Sequence, residues 1–202
     1  MKRKNKLKVG VRFSLFVTSY FPLFLILIFR QLFVYCEYLN WGGFSLENLA
    51  VYLKYFGAVS LFTLMTIFAI IGLIIFLYNI EDRTSLNGEI VKVAEIENKN
   101  NESITYLFTY IMPFVFQDLS EITNIVPIFI LLLVTYTIYT NSSLLLINPT
   151  LNFKYSLYTI EYNEANTKRR VMILSKNRFL EENDSIKIKK IGHKLFYSIS
   201  LE

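Results

Sequence analysis

The chain is nearly devoid of the side chains on which hydrolytic, redox and metal chemistry depend. Cys36 is its one cysteine and His193 its one histidine. A single thiol excludes an intramolecular disulfide and a multi-cysteine metal site. A single imidazole excludes a zinc-hydrolase ligand set, haem chemistry and a histidine relay, each of which needs further ligands or a histidine placed beside a nucleophile. No HExxH and no cluster of intramembrane acids stands in their place, so the chain reads as a non-enzyme with no cofactor. Positive charge is missing over a long stretch: residues 104–153 contain no Lys or Arg.

Apolar side chains make up 53% of the 202 residues, too many for an ordinary soluble domain. The 21 Lys and Arg residues are unevenly spread: all but Arg30 and Lys54 lie in 1–12, 82–99 and 154–194. Basic blocks between long apolar runs are the charge map of a membrane protein, because Lys and Arg accumulate on the cytoplasmic side of short loops. The net charge of +5 is explained the same way.

Four spans are predicted, at 13–35, 50–80, 104–119 and 122–147, with a cytoplasmic loop at 81–103. The first two are long enough to cross a hydrocarbon layer of about 30 Å. The basic head followed by a long apolar run without an Ala-x-Ala signal reads as an uncleaved anchor. The third span is ambiguous: its apolar run, 104–116, is short and contains Pro113. Charge resolves it, since only four crossings keep all three basic blocks on one side and leave Glu37, Glu47, Asp118 and Glu121 on the other. The expectation is a multi-pass protein of the inner (plasma) membrane with both termini cytoplasmic. Pro22, Pro113 and Pro127 lie in or near spans, where proline can break a helix.

After Asn148-Pro149 the texture becomes β. The runs 153–162, 170–175, 185–191 and 195–201 are rich in β-branched and aromatic residues, and Ile186 and Ile188 alternate with Lys187 and Lys189. A further strand is predicted at 89–97. The fold class is therefore a four-helix membrane bundle with a small cytoplasmic β-rich domain over 148–202, joined by strand 89–97. About 75 residues are close to the smallest stable core, so this domain should lean on the membrane, on identical neighbours or on a separate partner.

The candidate sites follow from charge. Lys168, Arg169 and Arg170 on one strand, with Lys187, Lys189 and Lys190 on another, form a candidate contact for an acidic partner or anionic lipid; no sequence-reading nucleic-acid motif accompanies them. Arg30, Gln31, Asp118 and Glu121 are candidates for sensing at the outer face, where Arg30 and Gln31 can also simply snorkel. Tyr35, Tyr38, Trp41 and Phe44 supply an interfacial aromatic belt. His193 reads as a turn residue.

Ser19-Tyr20-Phe21-Pro22-Leu23-Phe24, the run from Ile104-Thr105-Tyr106-Leu107 to Tyr110-Ile111-Met112-Pro113-Phe114, and Asn148-Pro149 before a tyrosine-rich strand resemble the membrane subunit of the two-gene Kiwa anti-phage defence system. The resemblance spans most of the chain. It implies a homo-oligomeric, tetrameric sensor of the bacterial inner membrane that holds a DNA-binding cytosolic effector and responds to phage infection at the envelope. No catalytic residue carries over. The residues alone support a sensor or adaptor that couples an envelope event to a cytosolic protein. They also leave open an oligomeric channel, lined by Ser19, Thr63, Thr66, Thr105, Thr109, Thr135 and Thr137.

Overall fold

The computed structural model describes residues 7–39, 43–106, 112–115, 117–141, 147–164, 167–192 and 194–201. The first predicted span is two helices, α1 (Val9–Ser19) and α2 (Phe21–Val34), bent by 55° at the break between them. Pro22 is the cause: without an N–H it cannot bond the Thr18 carbonyl one turn back, so the α-helix cannot run through Tyr20. The second span, expected at 50–80, is longer. Helix α3 runs over Leu46–Asn87, opened by Ser45, whose hydroxyl accepts the Asn48 N–H at 3.1 Å. The fourth becomes α5 (Ile122–Asn141), which contains Pro127; its expected continuation through 142–146 lies outside the described residues. The third, 104–119, is interrupted by 107–111 and 116, also outside them. Its described parts are the end of α4 (Asn100–Tyr106), a 3₁₀ turn at Met112–Phe114 with residue 115, and the non-helical 117–119. Among the described residues, two helices are long and apolar enough to cross a membrane, α3 and α5, and the bent α1–α2 pair makes a third if it counts as one span.

Aromatic rings and one glycine hold these helices together. Phe24 of α2 stacks on Phe62 of α3 at 4.9 Å between centroids, and Phe62 stacks on Phe129 of α5 at 5.4 Å. Phe16 of α1 meets Tyr136 and Tyr139 of α5 edge-on. At Gly72 a Cβ would run into the Ser14 side chain, so the glycine sets the spacing of α1 and α3. In lipid, where apolar burial gives helices little reason to associate, such close approach is a main source of cohesion.

The β region forms one curled six-stranded sheet in the order β1-β5-β6-β4-β3-β2. Its strands are β1 (Glu89–Lys92), β2 (Glu95–Asn98), β3 (Ser156–Glu164), β4 (Thr167–Ser175), β5 (Ser185–Gly192) and β6 (Leu195–Ser200). Pairing is antiparallel except between β4 and β6. The one strand expected at 89–97 is two, broken at Val93 and Ala94, and the two halves lie on opposite edges of the sheet. Curling brings those edges together there: the Val93 N–H bonds the Asp184 carbonyl at 2.9 Å and the Ala94 N–H bonds the Glu161 carbonyl at 2.8 Å. Edge backbone groups that would otherwise invite another chain are satisfied at the turn.

Period-2 alternation gives the sheet two apolar faces. Tyr158, Ile160, Tyr162, Val171, Ile173, Ile186, Ile188 and Val93 fill the inside of the curl. Burying each aliphatic side chain there contributes about 2 kcal/mol relative to exposure. Leu157, Leu174, Leu195 and Tyr197 point the other way and join one continuous core with α1, α2, α3 and α5. The small domain therefore leans on the chain's own helices, a support that its composition did not suggest.

Gly88 ends α3 against this sheet. A Cβ there would stand 2.6 Å from the Thr84 carbonyl oxygen and 3.2 Å from that of Ile188, both backbone atoms that cannot step aside. Gly88→Ala is expected to cost about 2 kcal/mol through this overpacking; the thermal unfolding midpoint of the detergent-solubilised protein checks it.

Candidate functional site

Two polar constellations sit at opposite ends of α3. At the end away from the sheet, the Tyr35 hydroxyl donates to an Asp118 carboxylate oxygen at 2.7 Å and lies 2.9 Å from the Ser120 hydroxyl. Asp118 also accepts the Ser120 N–H and hydroxyl, each at 2.8 Å. The Asn124 amide donates to the Asp118 carbonyl at 3.1 Å, which anchors the cluster to the first turn of α5. Burial by itself raises the Asp118 pKa. The donated hydrogen bonds of Ser120 and Tyr35, with the Arg30 charge nearby, outweigh it and hold the carboxyl below its ordinary value. One terminal nitrogen of Arg30, Nη1, is buried with no hydrogen-bond partner among the described residues. Around the cluster Tyr38 stacks on Tyr55 at 4.3 Å, Tyr35 tilts against Tyr55 at 4.7 Å, and the Lys54 ammonium lies 5.0 Å from the Tyr55 ring centre.

The structure thus brings Arg30 and Asp118 together and separates them from the other two outer-face candidates. Gln31 is buried and donates from Nε2 to the Tyr55 carbonyl at 2.7 Å, tying α2 to α3. Glu121 is exposed, and its carbonyl accepts from the first turn of α5. Tyr35 and Ser120 belong to the site and escaped sequence reasoning, because an aromatic near a helix end reads only as an interfacial belt.

A depressed carboxylate pKa has a definite linkage. Asp118 contributes stability above its unfolded pKa, near pH 4, and loses that contribution as pH falls through the lower folded value. Asp118→Asn is expected to cost about 1 kcal/mol at neutral pH, allowing for the site's partial solvent exposure. The gap between variant and parent should begin to narrow near pH 4 and close only below the lower folded value; unfolding midpoints at neutral pH and through the acid range measure it.

At the sheet end the lysines of β5 divide. Lys187 and Lys189 face α3, and their ammonium groups donate to the Ser85 and Asn87 carbonyls, the latter at 2.9 Å. They satisfy carbonyls that the helix end leaves unpaired and complement its negative dipole, which lets α3 continue beyond its apolar stretch. Lys176 pairs with Glu81 one helical turn earlier. Lys190 is exposed. The register puts it at the same end of the sheet as Lys168, Arg169 and Arg170, since Lys190 opposes Phe196 on β6 and Met172 opposes Leu195. There Arg169 pairs with Glu164 at 3.0 Å and Arg170 with Glu97 at 2.8 Å. The hydrogen-bonded Lys99, with Arg170, holds the Glu97 carboxyl below the usual range. Lys168 and Lys190 have no ion-pair partner among the described residues.

Between the two ends, the break in α1–α2 is sealed from far along the chain. Thr150 donates its hydroxyl to the Thr18 carbonyl at 2.6 Å, the acceptor that Pro22 cannot serve. Asn148, 0% exposed, donates to the Leu15 carbonyl and to the Thr18 hydroxyl, both at 3.0 Å. Several hydroxyls considered for a channel lining are engaged within their own helices: Ser19 with Phe16, Thr63 with Val59, Thr135 with Leu131 and Thr137 with Leu133. Thr109 and His193 lie outside the described residues.

Two or three helices long and apolar enough to span a membrane, joined through one long helix to a curled sheet whose basic rim is partly ion-paired, define a small protein of two linked halves. The comparison with protein families is specific. The model of the anti-phage protein KwaA family matches residues 11–197, and the chain belongs to that family. No curated protein and no solved structure matches it. Two of the three motifs in which the sequence resembled this family, 19–24 and Asn148-Pro149, lie at the sealed break, while the third, 104–114, falls partly outside the described residues.

Proposed function

We propose that this protein is an integral membrane sensor and adaptor that couples phage infection at the envelope to a cytosolic effector protein. In this reading it works as a homo-oligomer in the inner membrane, with four spans and both termini cytoplasmic. The Arg30–Tyr35–Asp118–Ser120 cluster faces outward, and the sheet faces the cytosol. The observation that carries the reading is the continuity of α3: its 42 residues form one helix, and the part from Tyr55 beside the polar cluster to Asn87 in the lysine clamp of β5 runs about 48 Å. A rigid rod fixed at both ends transmits tilt or rotation, where a loop would absorb it. Lys168 and Lys190 are two cations of the sheet's basic rim with no ion pair among the described residues, available to meet an acidic partner.

The channel reading has less support, because the donors of Ser19, Thr63, Thr135 and Thr137 are committed to their own helices. The test is purification of the full-length protein from membranes that also contain the cytosolic companion of its two-gene system. A stable complex is expected, and charge reversal at Lys168 and Lys190 together should weaken it about tenfold. A partner-free particle that conducts ions in proteoliposomes would contradict the adaptor and support the channel.

A further inference from the structure

The junctions between helices and sheet gather at one end of the strands. Ser156 at the start of β3 opposes Ser175 at the end of β4, and Ser198 on β6 and Ile186 on β5 are in register with that end. Here Lys176 meets Glu81, the first charge after the run 55–80 of α3. Here too the chain arrives from Thr150, bonded to α1, and α4 departs two residues after Asn98. This rim therefore stands where the helices leave their apolar stretch.

Two phenylalanines are exposed on it, Phe153 by 70% and Phe179 by 85%. Neither hangs on a slack loop. The Phe179 N–H donates to Asn177 Oδ1 at 2.9 Å, and the Asn177 N–H donates to Ser175 Oγ at 3.1 Å. The Tyr158 hydroxyl holds the Arg178 carbonyl at 2.6 Å, and the Arg178 guanidinium holds the Phe153 carbonyl at 2.6 Å, which joins the two aromatic positions. Leu180, next in the chain, is buried in the sheet's inner core and fixes the loop from behind. Lys154, Lys176 and Arg178 flank the rings, while Glu181, Glu182 and Asp184 follow on the same loop. With both signs of charge present, attraction to acidic headgroups is weak and the aromatic rings dominate.

A built turn that presents phenylalanine beside long basic side chains, at the level where helices exit, has the composition of an interfacial anchor. We infer that Phe153 and Phe179 insert into the headgroup boundary of the leaflet from which α3 and α5 emerge, so that the sheet rests on the bilayer as well as on its helices. Lipid is the occupant because the rim is continuous with the helix exits. The inference rests on the bilayer reading of α3 and α5 given above.

The test uses full-length protein in liposomes made with phosphatidylcholine brominated in its acyl chains, after Trp41→Phe has removed the native indole. One tryptophan is then introduced at a time: Phe153→Trp, Phe179→Trp, Phe68→Trp on the 68%-exposed face of mid-α3, and Thr167→Trp at the far end of the sheet. Bromine should quench the first three by about twofold or more relative to unbrominated lipid and leave Thr167→Trp unchanged. If Phe68→Trp is quenched while the tryptophans at 153 and 179 behave like Thr167→Trp, the anchor is wrong and the bilayer reading stands. An unquenched Phe68→Trp overturns both. Tryptophans at 153 and 179 that are shielded from bromine and from aqueous acrylamide alike would assign the rim to a protein neighbour and overturn the proposal.

Discussion

Asn148→Leu is expected to lower the stability of the detergent-solubilised protein by about 3 kcal/mol, with a matching fall in the thermal midpoint. The side chain is fully buried and makes three hydrogen bonds at a helix break: to the Leu15 carbonyl, to the Thr18 hydroxyl and from the Thr150 N–H, the last at 2.9 Å. Leucine matches the volume and supplies none of them. The Thr18 hydroxyl keeps the Ser14 carbonyl at 2.8 Å and the Leu15 carbonyl at 3.2 Å, so the loss falls mainly on the Thr150 N–H and on the amide donor to Leu15. Buried polar atoms left alone cost about 1–3 kcal/mol each. Asn148→Asp separates packing from hydrogen bonding. It retains the acceptor for Thr150 and turns a second oxygen toward the Leu15 carbonyl, so it should be at least as unstable as Asn148→Leu. An unchanged midpoint in either variant would mean that the break is not sealed by this contact.

Three glycines inserted between Asp82 and Arg83 should release the end of α3 from the rest of the helix without unfolding the sheet. The insertion leaves a stub of five residues, 83–87, too short to hold helical structure alone. Each glycine costs about 1 kcal/mol relative to a good helix former, so together they should speed amide exchange over 83–87 by about 100-fold. The inner core of Tyr158, Ile160, Ile173 and Ile188 does not involve α3, so exchange in β3 and β4 should stay slow. Loss of protection across the whole sheet would show instead that the sheet cannot stand without the rod.

How far these features were legible in the sequence depends on how local their causes are. The charge-free stretch before Glu81 marked α3, because desolvated charge is costly wherever the helix goes. Its last turn was hidden: Lys187 and Lys189, alternating with Ile186 and Ile188, read as part of a contact face for an acidic partner or anionic lipid, whereas they bond the end of α3. Alternation reports which residues share a face and not what covers it. Pro22 announced a break whose repair by Thr150 lies 132 residues away, beyond any local pattern. The run 89–97 had a uniform β texture, and its division between opposite edges is decided by the closure of the sheet at Val93 and Ala94. Among the candidate site residues, Arg30 and Asp118 came from charge in an apolar setting. Tyr35 and Ser120 did not, since a hydroxyl near a helix end carries no signal until its partner is placed.

In the proposed function, α3 carries an event at the outer polar cluster to the sheet. This coupling is tested most directly by phage plating on cells that produce the full system with either the natural chain or the three-glycine insertion after Asp82, at equal membrane levels and with the effector still bound. The account predicts that the insertion abolishes protection while membrane integration and effector binding survive. Protection equal to that of the natural chain would contradict it.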